Sequence, residues 1–366
     1  MALPKTEWIW MNGKFVRWDD AQIHVMSHVV HYGSSVFEGI RCYRTADGPA
    51  IFRLKEHVHR LFNSSRIYRM EPNITPAEVE DGIREVVERN GLEECYIRPV
   101  VYRGYKVLGL DPRACPIEIA VGAWPWGRYL GEGTETTGVD IKVSSWRRFA
   151  PDTLPSMAKA GANYMSSQLI KLDALADGYA EAVALDADGF VSEGSGENIV
   201  MVLDGVLYTP PWDSALLIGI TRDTVMALAR EQGIKVEERR IPREMLYVAE
   251  EIFLTGTAAE ITPVRSIDHI KIGYTVPGPI TRMLERGYDD AVHGRLEDRR
   301  SWLTYVRKPG PAVRAETRPE APRAETRPEA PRAEVKPEAV RAERAAETGA
   351  PADRPVDKPR SPVPGT

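Results

Sequence analysis

The chain has 366 residues, 48 of them basic and 53 acidic, for a formal net charge of −5. That balance supplies no basic field for nucleic acid or anionic lipid, and no window reaches the roughly 18 apolar residues of a membrane span. Cys42, Cys95 and Cys115 are too few and too scattered for a disulfide framework or a Cys-x-x-Cys metal site, and no basic-then-apolar leader opens the sequence, so a soluble protein of a reducing cytoplasm is expected.

In chain order, residues 7–18 alternate in two runs around Asn12-Gly13, the pair a type I′ hairpin turn requires. Residues 55–67 put Val58, Leu61, Phe62 and Ser65 on one helical face. Thr75-Pro76-Ala77-Glu78 is a capping box ahead of Val79, Ile83, Val86 and Val87, with Gly91 as the stop. Residues 96–102 and 117–123 read as buried strands, so the first part is α+β with interleaved strands rather than a βαβ series. The polar stretch 131–138, with its three glycines, is placed as an interdomain linker. Beyond it come a helix with Met165, Leu169 and Leu172 on one face, strands broken at Asp188-Gly189 and Asp204-Gly205, and a helix over residues 221–233. The last clear strand is 252–255. From Arg314 the unit Arg-Ala-Glu-Thr-Arg-Pro-Glu-Ala-Pro occurs twice and then decays, which predicts an extended, disordered tail. The expected division is therefore 1–130, a linker at 131–138, 139–308, and a tail at 309–366.

Four features carry possible chemistry. Lys159 stands among the smallest residues in Ala158-Lys159-Ala160-Gly161-Ala162, where a lysine taken alone is more often solvated than reactive. Glu193 sits between small residues in Ser192-Glu193-Gly194-Ser195-Gly196, a polar hairpin loop by its simplest reading. Gly219-Ile220-Thr221-Arg222 opens a helix, and its unpaired N–H groups suit a phosphate, although a threonine there is commonly just a cap. Thr255-Gly256-Thr257-Ala258-Ala259 adds backbone donors in a tight turn after a buried strand. An amine, an acid and two anion-binding turns together equip a site for a phosphorylated pyridine aldehyde.

With those residues in view, the sequence resembles the branched-chain amino acid aminotransferases of the fold type IV, class IV pyridoxal-phosphate family. The resemblance runs in order through residues 31–41 (His-Tyr-Gly-Ser-Ser-Val-Phe-Glu-Gly-Ile-Arg), Tyr96-Ile97-Arg98-Pro99, Lys159-Ala160-Gly161, Ser192-Glu193-Gly194, Gly219-Ile220-Thr221-Arg222 and Gly256-Thr257-Ala258-Ala259-Glu260. The family usually has glycine at the position of Ala162, and the proline-rich tail has no counterpart in it.

The resemblance implies a two-domain α+β fold binding pyridoxal 5′-phosphate, with Lys159 as the covalent anchor and catalytic base. It implies Glu193 on the pyridine nitrogen and Tyr164 on the ring hydroxyl. Arg60, the Ile220 backbone, Thr221 and Thr257 would hold the phosphate. Phe37, Trp126, Tyr129 and Tyr164 would line an apolar substrate pocket, while Tyr96, Arg98 and the turn at Thr257-Ala258 would receive carboxylates. Tyr32 would come from a second subunit, so a homodimer or a multiple of dimers is expected. The implied reaction moves the amino group of L-leucine, L-isoleucine or L-valine to 2-oxoglutarate in two half-reactions on the same lysine. A D-amino acid aminotransferase or an aminodeoxychorismate lyase of the same fold is the alternative, and Tyr96-x-Arg98 with Gly256-Thr257-Ala258-Ala259 favours the branched-chain group. A catalytically silent scaffold would not need both Lys159 and Glu193.

Two look-alikes are set aside. His24, His28 and His31 would align on a helix as if for zinc, but residues 22–30 alternate like a strand, which would scatter the rings. Gly194-Ser195-Gly196 lacks the third glycine of a dinucleotide fingerprint, since residue 199 is isoleucine.

Overall fold

The computed structural model describes residues 3–127, 131, 133–298 and 300–307. Tyr129 and the repeat tail lie outside the described residues, as does the contact unit Val313–Thr366. Within the unit Met1–Ala312, the described residues form two large sheets with helices packed against them, the α+β arrangement expected from the sequence.

The first sheet is antiparallel throughout. Its strand order is Leu303–Tyr305, Gly48–Phe52, Ile40–Thr45, Cys95–Arg103, Ile117–Trp124, Trp8–Met11 and Lys14–Arg17, with Ser35–Phe37 pairing to Cys95–Arg103. The opening hairpin turns at Asn12 (φ 50°) and Gly13 (φ 80°), the two positive angles a type I′ turn demands. Two helices cover this sheet. Leu54–Ile67 buries Val58, Leu61 and Ser65, and Pro76–Arg89 buries Val79, Ile83, Val86 and Val87. The second helix starts on the predicted capping box: Thr75 accepts from the Glu78 N–H, and the Glu78 carboxylate accepts from the Thr75 N–H.

The second sheet is mixed. Its order is Val191–Gly194, Glu181–Leu185, Val139–Val143, Glu260–Ile267, Glu251–Gly256, Asn198–Leu203, Val206–Thr209 and Val236–Glu238. Val139–Val143 runs parallel to both of its neighbours, which needs crossover connections and draws the helix Tyr164–Ala176 against Glu181–Leu185.

Four local expectations change. Residues 22–30 form no strand: His28–Tyr32 is a short helix ended by Gly33 at φ 62°, because that segment has no neighbouring strand to satisfy its backbone. The linker contains a one-turn helix, Thr134–Thr137. The chain does not finish its strands at residue 255, since Glu260–Ile267 lies central in the second sheet and Leu303–Tyr305 returns to edge the first. In Tyr164–Ala176, Ser167, Ile170 and Ala174 face the protein, and the apolar stripe Met165, Leu169 and Leu172 is exposed. Periodicity found the stripe but could not say what it faces.

Candidate active site

One cavity of about 190 Å³ lies where the two sheets approach each other, and Lys159, Arg60, Glu193, Thr221, Thr257 and Arg98 all reach its wall. Lys159 is held by its backbone from both sides. Its N–H donates to Ser64 Oγ at 3.0 Å, and its carbonyl accepts from the Phe37 N–H at 2.9 Å. The small residues of this stretch have a steric reason, because a Cβ on Gly161 would overlap Ser35 Oγ. The amine itself is 2.7 Å from Tyr164 Oη and lies over the Phe37 and Tyr164 rings, 5.2 Å from each centroid.

Glu193 belongs to the strand Val191–Gly194 and is buried. Oε1 meets Arg148 Nη2 at 2.8 Å; Oε2 accepts from Asn198 Nδ2 at 3.2 Å and from the Leu217 N–H at 3.0 Å. Burial pushes its carboxyl above the usual range, while Arg148 and the Leu217 N–H oppose that push. The carboxylate is thus fixed in orientation and faces the cavity.

Arg60 extends from Leu54–Ile67 and is clamped by Glu38, Nε to Oε1 at 2.6 Å and Nη2 to Oε2 at 2.8 Å, with Nη1 donating to the Ile218 carbonyl at 2.8 Å. Burial alone would raise the Glu38 carboxyl, but Arg60 and the His57 ring N–H, 2.7 Å away, hold it far below its ordinary range. The guanidinium is thereby parked beside the first turn of Ile220–Glu231. That helix has Gly219 as N-cap with no side-chain cap, so the first-turn N–H groups stay open toward the cavity. Gly219 has no room for a Cβ, which would overlap Asn198 Oδ1. Arg222 leaves the site and pairs with Glu238, Thr209 and the Pro210 carbonyl.

Opposite lies an aromatic wall. Phe37 meets Tyr164 edge-on at 4.8 Å, and Tyr96 stacks with Trp124 and Trp126 at 5.4 and 5.3 Å. Arg98 lies over Phe37 at 4.7 Å and donates to Tyr96 Oη at 3.1 Å. Its Nε and the Trp126 Nε1 are buried with no hydrogen-bond partner among the described residues, so polar capacity remains for an anionic ligand.

The structure therefore gathers Lys159, Arg60, Tyr164, Glu193, Ile220, Thr221, Thr257, Phe37, Tyr96, Arg98, Trp126 and Ala258 around one cavity. Tyr32 is not among its lining and is 43 % exposed; Tyr129 is not described. Of the three histidines, His28 bonds Ser34 and the Gly109 carbonyl, and His31 the Val25 carbonyl. Sequence reading missed Arg148 and Asn198, which orient Glu193, and gave Glu38 no role. Nothing in the sequence separates Arg148 from its neighbour Arg147, which is exposed and bonds the Ala187 carbonyl. The donor set fits a phosphorylated pyridine aldehyde: an amine for the aldehyde, a carboxylate for the ring nitrogen, and open N–H groups beside a guanidinium for the phosphate.

Glu197 also lines the cavity, and its carboxyl is pushed up to about 8 by burial and by Glu181. Folding therefore favours the protonated form. That stabilisation is complete below the carboxyl's unfolded value and fades as pH rises toward 8. Glu197→Gln is expected to flatten the fall in Tm between about pH 5 and 8; an unchanged pH slope would show that Glu197 is ionised throughout.

The chain matches the Amino-transferase class IV family over residues 35–267. It is 47% identical over 309 residues to the branched-chain-amino-acid aminotransferase of Escherichia coli K12, covering 84% of this chain and all of that one. Two crystal structures of the T.th. branched-chain amino acid aminotransferase superimpose well. The one complexed with N-(5′-phosphopyridoxyl)-L-glutamate has TM-score 0.79 and 48% identity, covering 83% of this chain and 99% of that one. The one complexed with 4-methylvaleric acid has TM-score 0.78 and 49% identity over the same shares. The chain belongs to the class IV aminotransferases and, within that family, to the branched-chain-amino-acid group.

Proposed function

We propose that this chain uses pyridoxal 5′-phosphate to transfer the amino group of L-leucine, L-isoleucine or L-valine to 2-oxoglutarate, with Lys159 serving both half-reactions. The observation that carries the reading is the single cavity shared by Lys159, Glu193, the open helix start at Ile220 and an aromatic wall containing one guanidinium. The cofactor, when bound, supplies the electron sink that makes the substrate Cα–H acidic. Lys159 Nζ would take the Cα proton as the base and, as the acid, give it to the carbon that had been the aldehyde, with Tyr164 Oη fixing the amine's position. Glu193 keeps the ring nitrogen protonated. Arg60, Thr221 and Thr257 hold the phosphate, and the Ile220 N–H adds the helix dipole. Phe37, Trp126 and Tyr164 surround the aliphatic side chain. Tyr96, Arg98 and the Ala258 backbone take carboxylates.

The two T.th. complexes support both ends of the substrate range. 4-Methylvaleric acid has the leucine carbon skeleton, and the phosphopyridoxyl conjugate carries glutamate. In this reading 1–130 and 139–308 are the two domains. Tyr32 completes the site of a second copy, so the working unit is a homodimer; the exposed stripe Met165, Leu169 and Leu172 suits contact between copies. No helix among the described residues is long and apolar enough to cross a membrane, and Cys42, Cys95 and Cys115 are free, which agrees with action in the cytoplasm.

Purified protein with the cofactor bound should absorb in the visible, and L-leucine should bleach that band to the pyridoxamine form. A response to D-alanine with none to L-leucine would make it a D-amino acid aminotransferase. Arg98→Met should raise KM for 2-oxoglutarate about tenfold more than KM for L-leucine, since the side-chain carboxylate loses its charged partner. Equal rises for both substrates would place Arg98 on the carboxylate that they share.

A further inference from the structure

The turn that carries Thr257 and Ala258 joins Glu251–Gly256 to Glu260–Ile267, and it closes at Glu260, which pairs with Gly256 across the ladder. Glu260 has φ 54°, a left-handed conformation unfavourable for a residue with a Cβ, so something outside the turn must hold it there. The holding groups come from the other sheet. Glu260 Oε1 accepts from Arg41 Nη1 at 3.0 Å and from Tyr43 Oη at 2.9 Å. Arg41 and Tyr43 are two apart on Ile40–Thr45, which puts both side chains on one face of that strand. Both are buried, and the guanidinium carbon lies 4.9 Å from the Tyr43 ring centroid. Arg41 Nη2 also meets Glu94 Oε1 at 3.2 Å, and Tyr43 Oη is 3.4 Å from Tyr288 Oη.

We propose that Arg41, Tyr43 and Glu260 are positioning residues, a partly buried clasp that fixes the Thr257–Ala258 turn at the cavity and so sets how tightly substrate carboxylate and cofactor phosphate are held. None of the three lines the cavity, so they act through the turn. The proposal rests on the reading above that this turn receives carboxylate and phosphate. It explains why two buried donors from the first sheet converge on one carboxylate oxygen of the second. The clasp makes the turn's geometry depend on the first sheet, from which Arg98 also reaches the site, as Arg60 does from the helix Leu54–Ile67 that covers that sheet.

The test uses the cofactor-loaded enzyme with Tyr43→Phe, Glu260→Ala and the conservative Glu260→Gln. Glu260→Ala should raise KM for L-leucine and the dissociation constant of pyridoxal phosphate about tenfold each, the equivalent of about 1.4 kcal/mol, with kcat within about threefold. Tyr43→Phe should shift both constants in the same direction by less. Glu260→Gln, which keeps an acceptor oxygen, should recover most of the loss. Amide exchange at Thr257 and Ala258 in the cofactor-free protein should quicken in Glu260→Ala and stay near wild type in Glu260→Gln. Unchanged exchange and KM in Glu260→Ala would overturn the clasp, and so would a fall in kcat alone. If wild type itself fails to turn over L-leucine, the functional reading falls, while the exchange experiment still decides whether the clasp holds the turn.

Discussion

Purified Lys159→Ala protein is expected to fold, to turn over L-leucine at least about a thousandfold more slowly, and to retain no cofactor covalently after borohydride treatment. A positioned general acid–base contributes typically 10²–10⁴-fold, and in the proposed reaction the same group is also the covalent anchor. The fold should survive because the backbone of residue 159 is held by Ser64 Oγ and the Phe37 N–H, contacts that side-chain truncation leaves alone. The amine's hydrogen bond is to Tyr164, within the site. Absorbance, circular dichroism and mass after reduction together separate lost chemistry from lost structure. A borohydride-stable adduct in the variant would assign the covalent link to another residue.

Glu193→Gln should cost roughly 10²–10³ in kcat, the scale on which a preorganised charge opposite a developing one acts. The pair of surroundings makes this substitution informative. Oε1 faces an arginine and Oε2 faces two N–H donors, so a glutamine amide must turn its own donor toward one of them. An unmatched buried donor costs about 1–3 kcal/mol, and a modest drop in Tm should accompany the kinetic loss. Glu193→Asp keeps the charge and should recover part of the rate. A variant Glu193→Gln that keeps kcat within about threefold would remove this carboxylate from the ring nitrogen.

How far the sequence discloses this molecule depends on the range of each interaction. The Asn12-Gly13 hairpin and the Thr75-to-Glu78 capping box are decided within a few residues, and both form as expected. Lys159, Glu193 and the turns at Gly219 and Gly256 were legible because small residues and glycines mark places where backbone must come close, as at Gly161 and Gly219. The partners that orient those groups were not legible. Arg148 reaches Glu193 from a distant stretch of the chain, and Glu38 reaches Arg60 from outside its helix; neither pairing leaves a local pattern. The helix Tyr164–Ala176 shows the limit of periodicity. Its apolar stripe is real, yet the buried face is built from Ser167, Ile170 and Ala174 instead. The strand over Glu260–Ile267 went unread because Pro263 breaks its pattern; that proline sits in the sheet opposite Phe253.

The return of Leu303–Tyr305 to the edge of the first sheet has a consequence for how the protein is made. These residues pair with Gly48–Phe52, the Arg53 N–H donates to the Trp302 carbonyl at 2.6 Å, and the Arg53 guanidinium lies over the Trp302 ring. The entire second sheet is thus threaded between two pieces of the first. During synthesis the ribosome delivers the first sheet early but withholds its edge strand until everything through residue 305 has emerged. The strand Gly48–Phe52 must wait with an open edge while roughly 250 residues are translated, a long-range closure made well after the rest of its sheet has emerged.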